Sequence, residues 1–73
     1  MSTAILYTRD GCAACARLRA SLDEAGESFV EVNLSREPQA MSELLKLTGG
    51  RRIVPVVVRD GRVEVAPDGG SEL

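Results

Sequence analysis

Residues 3–15 read Thr3-Ala4-Ile5-Leu6-Tyr7-Thr8-Arg9-Asp10-Gly11-Cys12-Ala13-Ala14-Cys15, and this stretch decides the fold. Thr3 to Thr8 is a short, mainly apolar run closed by Arg9-Asp10-Gly11, the pattern of a buried strand. From Cys12 the period changes. Cys15, Leu18, Leu22 and Ala25 recur every three or four residues, as on one face of a helix, until Gly26 supplies a C-terminal stop. A strand therefore passes through a tight loop into a helix that begins at the cysteine.

Downstream, Phe29 to Leu34 alternates, with Val30, Val32 and Leu34 on one side and Glu31 and Asn33 on the other, which predicts a second strand. Ser35 offers an N-cap, Pro38 suits a first helical turn, and Met41, Leu44, Leu45 and Thr48 continue at helical spacing until Gly49-Gly50. Ile53 to Arg59 contains the β-branched run Val56-Val57-Val58. Asp60-Gly61 then makes a hairpin turn into Arg62-Val63-Glu64-Val65.

The predicted order is βαβαββ, an α/β fold with two helices and a four-stranded mixed sheet. Its strand–helix–strand unit implies a parallel pair with a right-handed crossover, and the hairpin adds an antiparallel edge. After Ala66, Pro67 to Ser71 reads as turn chemistry. No repeat or linker marks a second unit, so residues 1–73 are expected to form a single domain.

Seventy-three residues with 44% apolar composition permit one modest core, built mostly from aliphatic side chains because Tyr7 and Phe29 are the only aromatics. A net charge of −2 and a pI near 5.0 argue against nucleic acid as the main partner, since phosphate binding needs clustered cations. No run approaches the roughly 20 apolar residues of a membrane span, and the N-terminus has no cationic-then-apolar leader pattern. The expectation is a soluble, cytoplasmic protein. In such a reducing compartment, two cysteines three residues apart read as reactive or metal-binding and not as a structural staple.

Cys12 falls at a helix N-terminus and Cys15 one turn later. Residues i and i+3 share a helical face at a separation a disulfide can close. Free N–H groups and the helix dipole favour a thiolate at Cys12, which makes it the nucleophile of a thiol–disulfide exchange, with the more shielded Cys15 resolving the mixed disulfide. Metal handling and simple packing remain alternative readings of the pair. A closed zinc site would need two further ligands, and the chain has no histidine and no third cysteine.

Ile5-Leu6-Tyr7-Thr8-Arg9, the Cys12–Cys15 pair and Ile53-Val54-Pro55 together resemble the glutaredoxin family of the thioredoxin superfamily. The resemblance implies a thioredoxin-like fold and a disulfide oxidoreductase that uses glutathione as co-substrate; no bound cofactor and no metal ligand are expected. It implies a cis peptide before Pro55, with Val54 offering its backbone to a strand-like substrate. It further implies that Arg9 and Arg51 meet glutathione carboxylates and that Gly69-Gly70 lies in the loop holding the γ-glutamyl end, although that loop comes about four residues later than in the family.

The family's usual Pro-Tyr between the cysteines is Ala13-Ala14 here. Redoxins that serve ribonucleotide reductase and are reduced by thioredoxin reductase look similar, so the partner is either glutathione or a reductase, acting on a disulfide-containing protein. The chain ends at Leu73 without the C-terminal helix that glutaredoxins pack beside the first helix. That face is expected to be partly uncovered and hidden by a partner or a homodimer. Gly11-Cys12-Ala13-Ala14-Cys15 with Val32-Asn33-Leu34-Ser35 also resembles the heavy-metal-associated domains of copper chaperones, a Cu(I)-binding alternative that requires βαββαβ order and a methionine where Asp10 stands.

Overall fold

The computed structural model describes residues 3–67 and 69–73; Met1 and Ser2 of the leader reading and Asp68 of the tail reading lie outside the described residues. Strand β1 (Ala4–Thr8) enters the loop before α1 (Ala13–Glu24), and β2 (Phe29–Asn33) returns parallel to β1, pairing Ala4 with Phe29 through Thr8 with Asn33. A short 3-10 turn at Pro38–Ala40 leads into α2 (Met41–Thr48). Four strands follow: β3 (Ile53–Val54), β4 (Val56–Arg59), β5 (Arg62–Val65) and β6 (Ser71–Glu72). The main sheet has the order β2-β1-β4-β5, with only β2 parallel to β1. Two helices on a four-stranded mixed sheet are the α/β arrangement that the sequence pattern predicts, and they agree with the thioredoxin-like fold that the resemblance implies. The βαββαβ order of a copper module is not the order found.

Two elements differ from the sequence reading. The run Ile53 to Arg59 is not one strand. Proline has no N–H to donate to a ladder, so β3 and β4, on either side of Pro55, belong to different sheets; the Val54–Pro55 bond between them is cis. The tail is not only turns, because Ser71 and Glu72 pair antiparallel with Val54 and Ile53.

Helix α1 starts one residue later than expected, with Cys12 as its N-cap, and buries Ala14, Cys15, Leu18 and Leu22. Ala25, expected on the same face, is its exposed C-cap. The helix stops because Gly26 takes a φ of 70°, which closes the Gly26 N–H on the Asp23 carbonyl and the Glu27 N–H on that of Leu22. Leu18 and Leu22 pack on Ala4, Leu6 and Val57, with Phe29 at the edge. The opposite face receives α2 through Leu44, which joins Tyr7, Val56, Val54 and both cysteines in one buried cluster. The Tyr7 hydroxyl donates to Glu43 at 3.3 Å and ties α2 to β1. Burial, then the adjacent Glu43 charge, raises the Tyr7 pKa and keeps it the protonated donor.

The expected uncovered face is corrected. On the α1 side Leu6 and Val57 are fully buried, and the sheet is closed toward β5 by Arg59, which reaches both Glu27 and Glu64. The exposed apolar row lies on the α2 side. There Val30 (55% exposed), Ile5 (38%) and Val63 (39%) stand in register across the sheet through the partly buried Val58. Helix α2, eight residues long, packs over the next row, Tyr7 and Val56, and reaches only Val58 of this one. Val30 therefore shares the face of Val32 and Leu34, as the predicted strand requires, but lies beyond the cover of α2.

Buried Thr8 is satisfied by Glu31, to which its hydroxyl donates at 2.7 Å, while Arg19 grips both Glu31 oxygens at 2.9 and 2.8 Å. Burial alone would raise the Glu31 pKa, but the bonds from Thr8 and Arg19 outweigh it and hold the carboxyl below its ordinary 4.5. A depressed carboxylate pKa stabilises the fold above the unfolded value and loses that contribution as pH falls through the folded one. Glu31→Gln is therefore expected to destabilise at pH 7, with the gap to the parent narrowing as pH drops below about 4.5, as urea titrations at stepped pH would show. A gap that stays constant with pH would contradict the assignment.

Candidate active site

The loop after β1 places Cys12 at the start of α1 in extended geometry, φ −98° and ψ 107°, where a side-chain acceptor can cap the helix. Its Sγ accepts from the Cys15 N–H at 3.1 Å, and the first turn carries no acidic side chain to oppose negative charge there. Cys12 and Cys15 are joined as a disulfide with their Cα atoms 5.2 Å apart, inside the ordinary range for such a bond. Cys12 is 6% exposed and Cys15 is fully buried, so the order of accessibility follows the sequence reading while the gap between them is small.

Val54 lies in the same buried cluster as both cysteines, and it and Pro55 are almost wholly shielded, so the cis-proline segment stands against the cysteine pair. Gly70 meets this segment from the tail. A Cβ at position 70 would run into the Val54 carbonyl oxygen, and Val54 pairs with Ser71, so only glycine lets the tail approach this closely. The Gly69-Gly70 stretch is thus beside Val54 despite its late position in the sequence. The Val54 backbone, read as open to a substrate strand, is partnered by the protein's own residue 71.

The two arginines differ. Arg9 lines a groove of about 840 Å³ together with Cys12; its Nη1 donates to the Asp10 carbonyl at 2.9 Å. Its Nε is buried without a hydrogen-bond partner among the described residues. Arg51 is exposed, and its fixed contacts are made by its backbone, which exchanges hydrogen bonds with the Thr48 hydroxyl. Nothing in those contacts brings its guanidinium to the cysteines.

Sequence reasoning missed Arg36 and Asn33, which line the same groove as Cys12 and Arg9. No local signal marks them. They reach the site because β2 runs parallel to β1 and delivers its C-terminal end beside the start of α1, where Asn33 donates to the Asp10 carboxylate at 2.9 Å and the Ser35 hydroxyl accepts from the Asp10 N–H at 3.0 Å. Among the described residues no helix is long and apolar enough to cross a membrane.

Comparison with known proteins gives the same direction. The chain is 33% identical over 61 residues to "Glutaredoxin 1" of Rickettsia conorii (strain ATCC VR-613 / Malish 7), an alignment covering 82% of this chain and 60% of the relative. It is 36% identical over 58 residues to "Gene 56 protein" of Mycobacterium phage D29, covering 75% of this chain and 60% of that one. The chain thus spans less than two thirds of the length of either curated relative. No solved structure matches significantly. The family model for glutaredoxin matches residues 4–64, the span that carries β1, the cysteine pair, α2, the cis-proline segment and the β4–β5 hairpin, and the chain belongs to the glutaredoxin family.

Proposed function

We infer that this chain is a thiol–disulfide oxidoreductase acting through Cys12 and Cys15, with Cys12 as nucleophile. The observation that carries the reading is the N-cap position of Cys12, whose sulfur already accepts a backbone N–H at 3.1 Å at the positive end of a 12-residue helix. In the reduced protein the same donor and dipole favour the thiolate, the attacking species. The Cys12 thiolate attacks one sulfur of a substrate disulfide, forming a Cys12 mixed disulfide and releasing the other half as a thiolate that takes up a proton. Cys15, deprotonated in turn, attacks Cys12 Sγ, forming the intramolecular disulfide and releasing the second thiol. The substrate gains two electrons and the cysteine pair loses them. An external reductant, two thiols or a reductase, must restore the pair.

Glutathione is the proposed reductant, and protein or glutathione mixed disulfides in the cytoplasm are the proposed substrates. Arg9 would meet a glutathione carboxylate through paired hydrogen bonds, and Pro55, Val54 and the Gly69-Gly70 stretch would bound the other side of the sulfur. Arg51 enters this set on its charge and its place two residues before Ile53. The second reading, a redoxin reduced by thioredoxin reductase, is favoured by Ala13-Ala14, which supplies neither a proline nor an aromatic contact between the cysteines.

The experiment is turnover of a glutathione mixed disulfide under two regenerating systems. Reduction driven by glutathione and its reductase is the expected result. Turnover with thioredoxin reductase alone would move the donor to the second reading, and silence with both would overturn the oxidoreductase reading.

A further inference from the structure

The groove beside Cys12 is lined by Ala13 and Ala16 of α1, by Asn33 at the end of β2 and by Arg36 just beyond it, and not by Val54 or Pro55. We propose that it is the track for the polypeptide half of a protein disulfide, with an acidic side chain near the substrate cysteine held by Arg36 and Arg9. This rests on the oxidoreductase reading and adds a substrate class to it.

Three observations carry the proposal. First, Cys12 itself lines the groove, and Gly11, Ala13 and Ala16 keep the lining beside it free of bulky side chains, so that another chain can come close. Second, two of its three carboxylates are engaged within the protein: Glu31 by Thr8 and Arg19, and Asp10 by Asn33. Third, its donors are not used up. Arg9 Nε is buried with no hydrogen-bond partner, and the Arg36 guanidinium makes no hydrogen bond or ion pair among the described residues, although its charge helps to lower the Glu31 pKa.

A buried donor without an acceptor is a site where an incoming acceptor gains most, and a carboxylate is the strongest acceptor for a guanidinium. Glu37, the third lining carboxylate, stands next to Arg36 in the chain and makes no side-chain hydrogen bond among the described residues. With acids and bases balanced around the groove, recognition is local, fixed by where the acid sits relative to the cysteine, and not by long-range attraction. Glutathione and the polypeptide would use Arg9 in succession, one replacing the other as the exchange proceeds.

The test uses three cysteine peptides that differ only in an Asp, Asn or Lys near the cysteine, each joined by a disulfide to mercaptoethanol. The expected order of kcat/KM is Asp, Asn, Lys, with about a tenfold span. Arg36→Glu, on the exposed surface, is expected to reverse that order, and Arg36→Gln to flatten it, each read as the ratio of rates among the three peptides so that any general change in activity cancels. Equal rates for the three peptides with the parent protein would overturn the proposal, as would an order that Arg36→Glu leaves unchanged. A fall with Arg36→Gln that is as large for the mixed disulfide of mercaptoethanol and glutathione as for the Asp peptide would also overturn it, because the groove would then be a glutathione site. Failure of the parent protein on every disulfide would instead overturn the oxidoreductase reading beneath it.

Discussion

Replacing Cys12 by serine is expected to abolish disulfide reduction, a loss on the order of a thousandfold or more, whereas Cys15→Ser should retain the first attack and stall after it. The difference follows from position. Cys12 is the helix N-cap, is 6% exposed and lines the groove, while Cys15 is fully buried one turn deeper. A serine hydroxyl at position 12 stays protonated at neutral pH even with a backbone N–H to accept, so no nucleophile remains. With Cys15→Ser the mixed disulfide has no internal thiol to resolve it and should accumulate, linked through Cys12. Intact-protein mass spectrometry after incubation with a substrate disulfide reads both outcomes. An adduct on Cys15 in the Cys12→Ser protein would reverse the roles, and no adduct in either would remove them.

Leu44→Ala is expected to cost about 2–5 kcal/mol, the range for emptying a fully buried leucine site. In a chain of this size that is a large part of the total, since small domains rest near the low end of roughly 5–15 kcal/mol. Leu44 is the buried anchor of α2, and its neighbours in the core are Tyr7, Val54, Val56 and the two cysteines. The loss should therefore reach the site as well as the fold: urea midpoints should fall, and the Cys12–Cys15 pair should become easier to alkylate after reduction. A cost below about 1 kcal/mol would mean that α2 is not packed as described.

The parts of the fold written in short-range pattern were legible in advance. The change of period at Cys12 marks the junction of β1 and α1, Gly26 marks the helix stop, and Asp60-Gly61 marks the β4–β5 hairpin. What pattern does not carry is which sheet a strand joins. Ile53 to Arg59 looks like one β-branched run, and only the change of partners at Pro55, from Ser71–Glu72 to β1, divides it. Ser71 and Glu72 are polar and sit among glycines, and they form a strand because Val54 is there to pair with, a tertiary fact.

The exposed apolar row has a similar origin. Val30 and Val32 alternate correctly, but which of them is covered depends on how far an eight-residue α2 extends across the sheet. At the site, Cys12, Cys15, Val54 and Pro55 could be named from motif and spacing. Arg36 and Asn33 could not, because their nearness to Cys12 is made by the parallel pairing of β2 with β1.

The measurement that most directly tests the central claim is a single turnover of the fully reduced protein with one equivalent of a peptide disulfide, followed by mass analysis of both products. The account expects each chain to lose two hydrogens, with Cys12 and Cys15 joined to each other, and one peptide disulfide to be converted to two thiols. A protein that keeps both thiols while the peptide stays oxidised, or that oxidises only into chains linked to one another, would contradict it.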